Sequence, residues 1–121
     1  MAIPSSENRR HKRVPLALSI IGKCAVKAFR SHDFQGETRN VSYNGLCIQS
    51  QNINGFKVGQ KVTFKTRLYD GDFLLKGQGI LCWIRDHGNS DGPANMGIRL
   101  TRMRHYGSWC ERIEEKILHG C

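Results

Sequence analysis

Little in this sequence points to catalysis. It has no Walker-type loop, no G-x-S-x-G elbow, no Rossmann glycine fingerprint and no H-E-x-x-H pair. Its five histidines (11, 32, 87, 105, 119) are scattered. The five cysteines (24, 47, 82, 110, 121) are odd in number and form no C-x-x-C pair. That argues against a disulfide framework and against the usual zinc knuckles, and it fits a reducing cytoplasm. His119 and Cys121 are too few for a metal site and read as a frayed terminus. No apolar run approaches the ~20 residues of a membrane span, and the start, MAIPSSENRRHKR, lacks the apolar core of a signal peptide. Acids are scarce as well: ten Asp+Glu face nineteen Lys+Arg, a formal charge of +9. The expectation is one cytoplasmic domain, not an enzyme, with no metal or cofactor and with an anionic partner.

What is present reads as short strands. Of 121 residues, 39% are hydrophobic, enough for one buried core. From Ala17 to Phe29 the even positions Leu18, Ile20, Cys24, Val26 and Ala28 are apolar or small, the period of a half-buried strand. Residues 36–42 are polar but extended, and Leu46 and Ile48 resume the alternation after Asn44-Gly45, a pair suited to a tight hairpin with positive φ. Val62, Phe64 and Leu68 alternate with Lys61, Lys65 and Arg67. Asp70-Gly71 marks a further hairpin, and Phe73 to Arg85 carries Gly77 and Gly79, which predict a bulge or bend. Met96, Ile98 and Leu100 form a last strand. Trp109, Ile113 and Ile117 then recur at helical spacing, with Ser108 to Glu111 in capping-box form. The reading is an all-β fold: a six-stranded antiparallel barrel over residues 15–121, ending in a helix at about 105–118. Residues 1–14 read as a flexible basic arm.

Two segments carry the candidate chemistry. Residues 7–13 place Arg9, Arg10, Lys12 and Arg13 in one short run, and Arg9 and Arg13 stand four apart. Arginine forks bind phosphate oxygens bidentately and stack on bases. Residues 40–45, Asn40-Val41-Ser42-Tyr43-Asn44-Gly45, place an amide and a hydroxyl on the same face of a strand, together with Thr38, while Gly45 lets a ligand approach the backbone. Together they describe a site for a ligand that carries both phosphate and purine. Taken alone, Asn40, Ser42 and Gly45 read first as hairpin residues.

These residues resemble the PilZ domain, a bacterial receptor for cyclic di-GMP. R-x-x-x-R is present as Arg9-x-x-x-Arg13, with Arg10 as an extra cation, and [DN]-x-S-x-x-G as Asn40-x-Ser42-x-x-Gly45. The Pro15-led strand, residues 79–84 and Met96 to Leu100 are also similar to the family's later strands. The resemblance implies that Arg9, Arg10 and Arg13 bind phosphates and guanine, that Asn40 and Ser42 hydrogen-bond a guanine, and that Gly45 keeps the turn open. It implies weaker binding where Asn40 replaces the commoner Asp, and Asn8 leans toward an intercalated ligand pair. Trp83 stands where relatives have an apolar or aromatic residue; base stacking and plain barrel packing are both open for it. By the same resemblance the chain is a stand-alone adaptor whose arm closes over cyclic di-GMP and presents a new surface to an effector protein. The alternative is a basic barrel that binds RNA or single-stranded DNA through displayed aromatics, and a third reading is a structural module that binds no nucleotide.

Overall fold

The computed structural model describes residues 13–27, 30–51, 53, 55–68, 74–86 and 94–119. Arg9, Arg10 and the rest of the arm to Lys12 lie outside the described residues, as do Asp70-Gly71, Phe73, Gly120 and Cys121. The elements in chain order are β1 (Val14–Pro15), β2 (Ser19–Lys27), β3 (Arg30–Ser42), β4 (Gly45–Ser50), β5 (Lys61–Arg67), β6 (Leu74–Asp86), β7 (Ala94–Met103) and α1 (Tyr106–His119). Strands β2 to β7 form the expected antiparallel barrel. Their order is β3-β2-β5-β6-β7-β4, and β4 pairs back onto β3 to close it. It consists of two three-stranded meanders, β2-β3-β4 and β5-β6-β7, joined at the β2/β5 and β4/β7 seams. The short β1 lies beside β3, pairing Val14 with Val41 and Pro15 with Asn40.

Alternation puts the apolar residues inside. Along β5, Val62, Phe64 and Thr66 are buried while Lys61, Thr63, Lys65 and Arg67 are exposed. The core continues through Ile20, Phe34, Ile48, Leu75, Leu81, Met96 and Leu100. Where two backbones or a ring come close, glycine replaces a side chain. A Cβ on Gly77 would lie 2.5 Å from the Phe64 ring, and one on Gly79 would lie 2.5 Å from the Arg99 carbonyl oxygen. The bend expected there is a bulge between Gln78 and Gly79.

The 36–42 segment differs from its simple alternation. A bulge between Thr38 and Asn40 shifts the register of β3 against β4, so Thr38 and Asn40 do not share a face. Thr38 is buried, its hydroxyl accepting the Leu18 N–H at 2.8 Å and donating to the Leu16 carbonyl at 2.7 Å. The polar side chain at 38 thus stitches the chain between β1 and β2 to the barrel. The hairpin also differs: Ser42 pairs with Gly45, so the loop is Tyr43-Asn44, and neither Asn44 nor Gly45 takes a positive φ. Space at Gly45 is tight, since a Cβ there would sit 3.2 Å from the Ile98 carbonyl oxygen.

The helix begins at Tyr106, three residues earlier than the Trp109 start that a Ser108 cap implies. His105 takes the left-handed conformation (φ 58°), and its carbonyl accepts the N–H groups of Ser108 and Trp109. Ser108 therefore lies in the first turn and is not the cap. Trp109 and Ile113 are buried and Ile117 is half-buried on the barrel, as their spacing predicts.

A candidate ligand recess on the β4/β7 seam

Five residues singled out from the sequence are among those described: Arg13, Asn40, Ser42, Gly45 and Trp83. Arg13, Ser42, Gly45 and Trp83 line one recess of about 230 Å³, together with Asn44, Leu46, Cys82, Gly97, Ile98 and Arg99. Asn40 adjoins it: the Arg13 Nη1–H donates to the Asn40 Oδ1 at 3.2 Å. Strand pairing explains this convergence. β1 brings the chain beside Asn40, the Tyr43-Asn44 turn brings Ser42 to Gly45, and β4 and β7 pair Gly45 with Arg99 and Cys47 with Gly97. Each meander supplies part of the wall.

Trp83 sits on the outside of the barrel. A bulge between Leu81 and Trp83 changes the phase of β6, so Ile84 packs against the core while Trp83 does not. The indole lies half-buried against Gly97, where any Cβ would overlap it. The Arg85 guanidinium stands 6.0 Å from the ring centre, within cation–π range.

Ser42 is buried, and its hydroxyl donates to the Asn44 Oδ1 at 3.3 Å. Its carbonyl accepts the Trp109 Nε1–H at 2.9 Å, and the Tyr43 hydroxyl donates to Glu114 at 3.2 Å. Through these two bonds α1 holds the hairpin that carries Ser42 and Gly45.

The field of the recess is positive. Burial raises the Cys47 thiol pKa, while Arg13, Arg39 and Arg85 pull it the other way. Arg99 adds a further guanidinium to the wall. Guanidinium groups in such a setting can bind phosphate oxygens, and Trp83 is the aromatic side chain of the same wall. Among the described residues no group of three or more His, Cys, Asp or Glu side chains could hold a metal ion, and no helix is long and apolar enough to cross a membrane.

The cysteines divide by burial. Cys24 is buried, and desolvation raises its pKa from 9.0 to about 11; its thiol donates to Gln60 at 3.1 Å. Cys47 is buried too, whereas Cys82 is exposed at the bulge. A buried neutral thiol is a poor nucleophile. Iodoacetamide at neutral pH should therefore modify Cys82 well before Cys24 or Cys47, as read by peptide mass spectrometry; equal rates would contradict this burial. The Cys24 shift also has a pH consequence. Because the folded-state pKa is raised, its contribution to stability is complete below pH 9 and is lost as pH rises toward 11.

The sequence reading missed Asn44, Cys82, Gly97 and Arg99 as wall residues. Gly97 had a readable signal, because a glycine within a strand marks a close approach by another group. The bulges that turn Cys82 and Trp83 outward leave no such mark.

The fold is similar to two solved structures. One is the Bacillus subtilis inhibitor of motility MotI/DgrA, with TM-score 0.68, 12% identity and 92% of this chain covered against 52% of that one. This chain thus spans about half of that protein. The other is the PilZ domain with c-di-GMP of YcgR from Escherichia coli, with TM-score 0.59, 13% identity and 93% of this chain covered against 97% of that one. No curated protein sequence matches the chain. The family model of the PilZ domain matches residues 7–115, from the arginine run through the barrel into the helix that holds its hairpin, and the chain belongs to that family.

Proposed function

We propose that this protein is a cyclic di-GMP receptor that acts as an adaptor, with the nucleotide held between the arginines at 9–13 and the barrel rim. The observation that carries this reading is the convergence of Arg13, Ser42, Gly45 and Trp83 on one cationic recess, with Asn40 bonded to Arg13. Phosphate oxygens take the guanidinium forks of Arg9, Arg10 and Arg13; a guanine edge meets Asn40 and Ser42; and the Trp83 face offers a stacking surface. In this role the Arg13–Asn40 bond is exchanged for ligand contacts, so that binding rearranges the entry of the arm. That rearrangement changes the surface offered to an effector protein. The YcgR domain, a solved structure with c-di-GMP, is similar in fold and supports this ligand class. The nucleic-acid alternative expects a row of aromatics along a strand face. Among the described residues Phe34, Phe56, Phe64 and Trp109 are buried and Tyr43 and Tyr106 are half-buried, which leaves the half-buried Trp83 as a single stacking face and not a row.

Isothermal titration with cyclic di-GMP tests the reading. Wild type should bind, and Arg13→Ala should bind at least about tenfold more weakly, as expected when hydrogen bonds to a charged group worth ~1.5–3 kcal/mol are removed. No heat with wild type would refute the ligand, and an unchanged affinity in Arg13→Ala would refute the site.

A further inference from the structure

A second concave surface lies apart from the nucleotide recess and shares none of its lining residues. It is a groove of about 1440 Å³ with lining residues from all six barrel strands, both exposed side chains and the buried ones beneath them. Register aligns its side chains into rows. Ile21 pairs with Lys65, Lys65 pairs with Lys76, and the Arg104 N–H donates to the Lys76 carbonyl. The neighbouring row ends at Arg102, which pairs with Gln78. Lys65, Lys76, Arg102 and Arg104 are exposed. Among the described residues none of these four makes an ion pair, whereas Lys23 on the same face faces Asp33 at 3.8 Å.

Like charges placed directly opposite one another in a sheet destabilise it. The Lys65–Lys76 pair with Arg104 beyond it thus costs the barrel stability and has no use in its packing. An anionic occupant would reverse that cost. At the other end of the row Ile21 is 53% exposed, an isolated aliphatic among polar neighbours. Cations in line with one apolar anchor fit a peptide better than a polynucleotide, which would want exposed aromatics for its bases. On this face the described aromatics, Phe34 and Phe64, are turned inward and buried. A groove is also the wrong shape for a flat bilayer.

We infer that this groove is the docking site for an extended acidic segment of a partner protein, with an aliphatic side chain of that segment resting on Ile21 and its carboxylates on Lys65, Lys76 and Arg104. Four strands at ~4.8 Å spacing span about 14 Å, the reach of some four or five extended residues. The inference goes beyond the nucleotide reading and stands independently of it.

The test is fluorescence anisotropy of full-length protein with a labelled octapeptide of alternating Glu and Leu, beside a labelled oligothymidylate. The peptide should bind, and the double variant Lys65→Gln/Lys76→Gln should weaken it about tenfold, with weaker binding at higher salt. Ile21→Thr, a β-branched replacement suited to the strand, should weaken it about threefold. Lys57→Gln, an exposed cation outside the groove, should leave it unchanged. Circular dichroism and cyclic di-GMP titration of the double variant should match wild type, which keeps failure here separate from failure of the nucleotide site. Absence of peptide binding, an equal loss with Lys57→Gln, no effect of Ile21→Thr, or tighter binding of the oligothymidylate would each overturn the inference.

Discussion

Trp109→Ala should lower the unfolding free energy by about 3–5 kcal/mol, the range for removing a large aromatic from a core. The side chain is 1% exposed and belongs to the same buried cluster as the barrel interior. Its removal opens a cavity between α1 and the barrel. It also takes the Nε1–H away from the Ser42 carbonyl, now bonded at 2.9 Å, and a buried acceptor without a partner adds to the cost. Against a typical total of ~5–15 kcal/mol, such a loss moves a urea midpoint far. Trp109→Phe separates the two parts, because it keeps most of the packing and loses only the donor. Urea unfolding followed by far-ultraviolet circular dichroism measures both. A loss below about 1 kcal/mol for the alanine variant would mean that the helix is peripheral to the fold.

Gly97→Ala should have the next largest effect, through one methyl group. Gly97 lies within β7, paired with Cys47 on one side and Trp83 on the other. Its missing side chain is the space the Trp83 indole occupies. With a methyl there the ring must swing away or the strands must part, an overpacking cost of about 1–3 kcal/mol. Trp83 would lose its support and become more solvated, so its fluorescence should shift to the red. Cyclic di-GMP affinity should fall with it if the ring forms the ligand wall. A variant with wild-type stability and unchanged emission would show that the indole does not rest on Gly97.

The barrel was legible because its evidence is periodic. Val62, Phe64 and Leu68 against Lys61, Lys65 and Arg67 announce a strand with one buried face, and Trp109, Ile113 and Ile117 announce a helix with one buried stripe. What period-two counting could not reach were the bulges. One extra residue in β3 sends Thr38 inward and Asn40 outward, and another in β6 exposes Cys82 and sets Ile84 instead of Trp83 against the core. A bulge is settled by how a strand pairs with its neighbour; glycines mark the one at Gln78/Gly79, whereas the residues at Thr38/Asn40 and Leu81/Trp83 carry no such mark. The same limit applies to the recess. Asn40, Ser42 and Gly45 could be found by their local spacing, but Gly97 and Arg99 join them only through the β4/β7 seam. The hairpin differs because Asn44-Gly45 suits positive φ, whereas here neither residue takes it and a Cβ at 45 would make a tight 3.2 Å contact with the Ile98 carbonyl oxygen.

The division into two meanders has a kinetic consequence. Each meander can form from neighbouring segments, but β2/β5 and β4/β7 join residues roughly forty or more positions apart, and such long-range closure slows folding. The rate-limiting event is then the zipping of one half onto the other. A molecule seated against Gly45 and Arg99 touches both halves at once, so it would act as a clasp that lengthens the lifetime of the native state and leaves the speed of its formation nearly untouched.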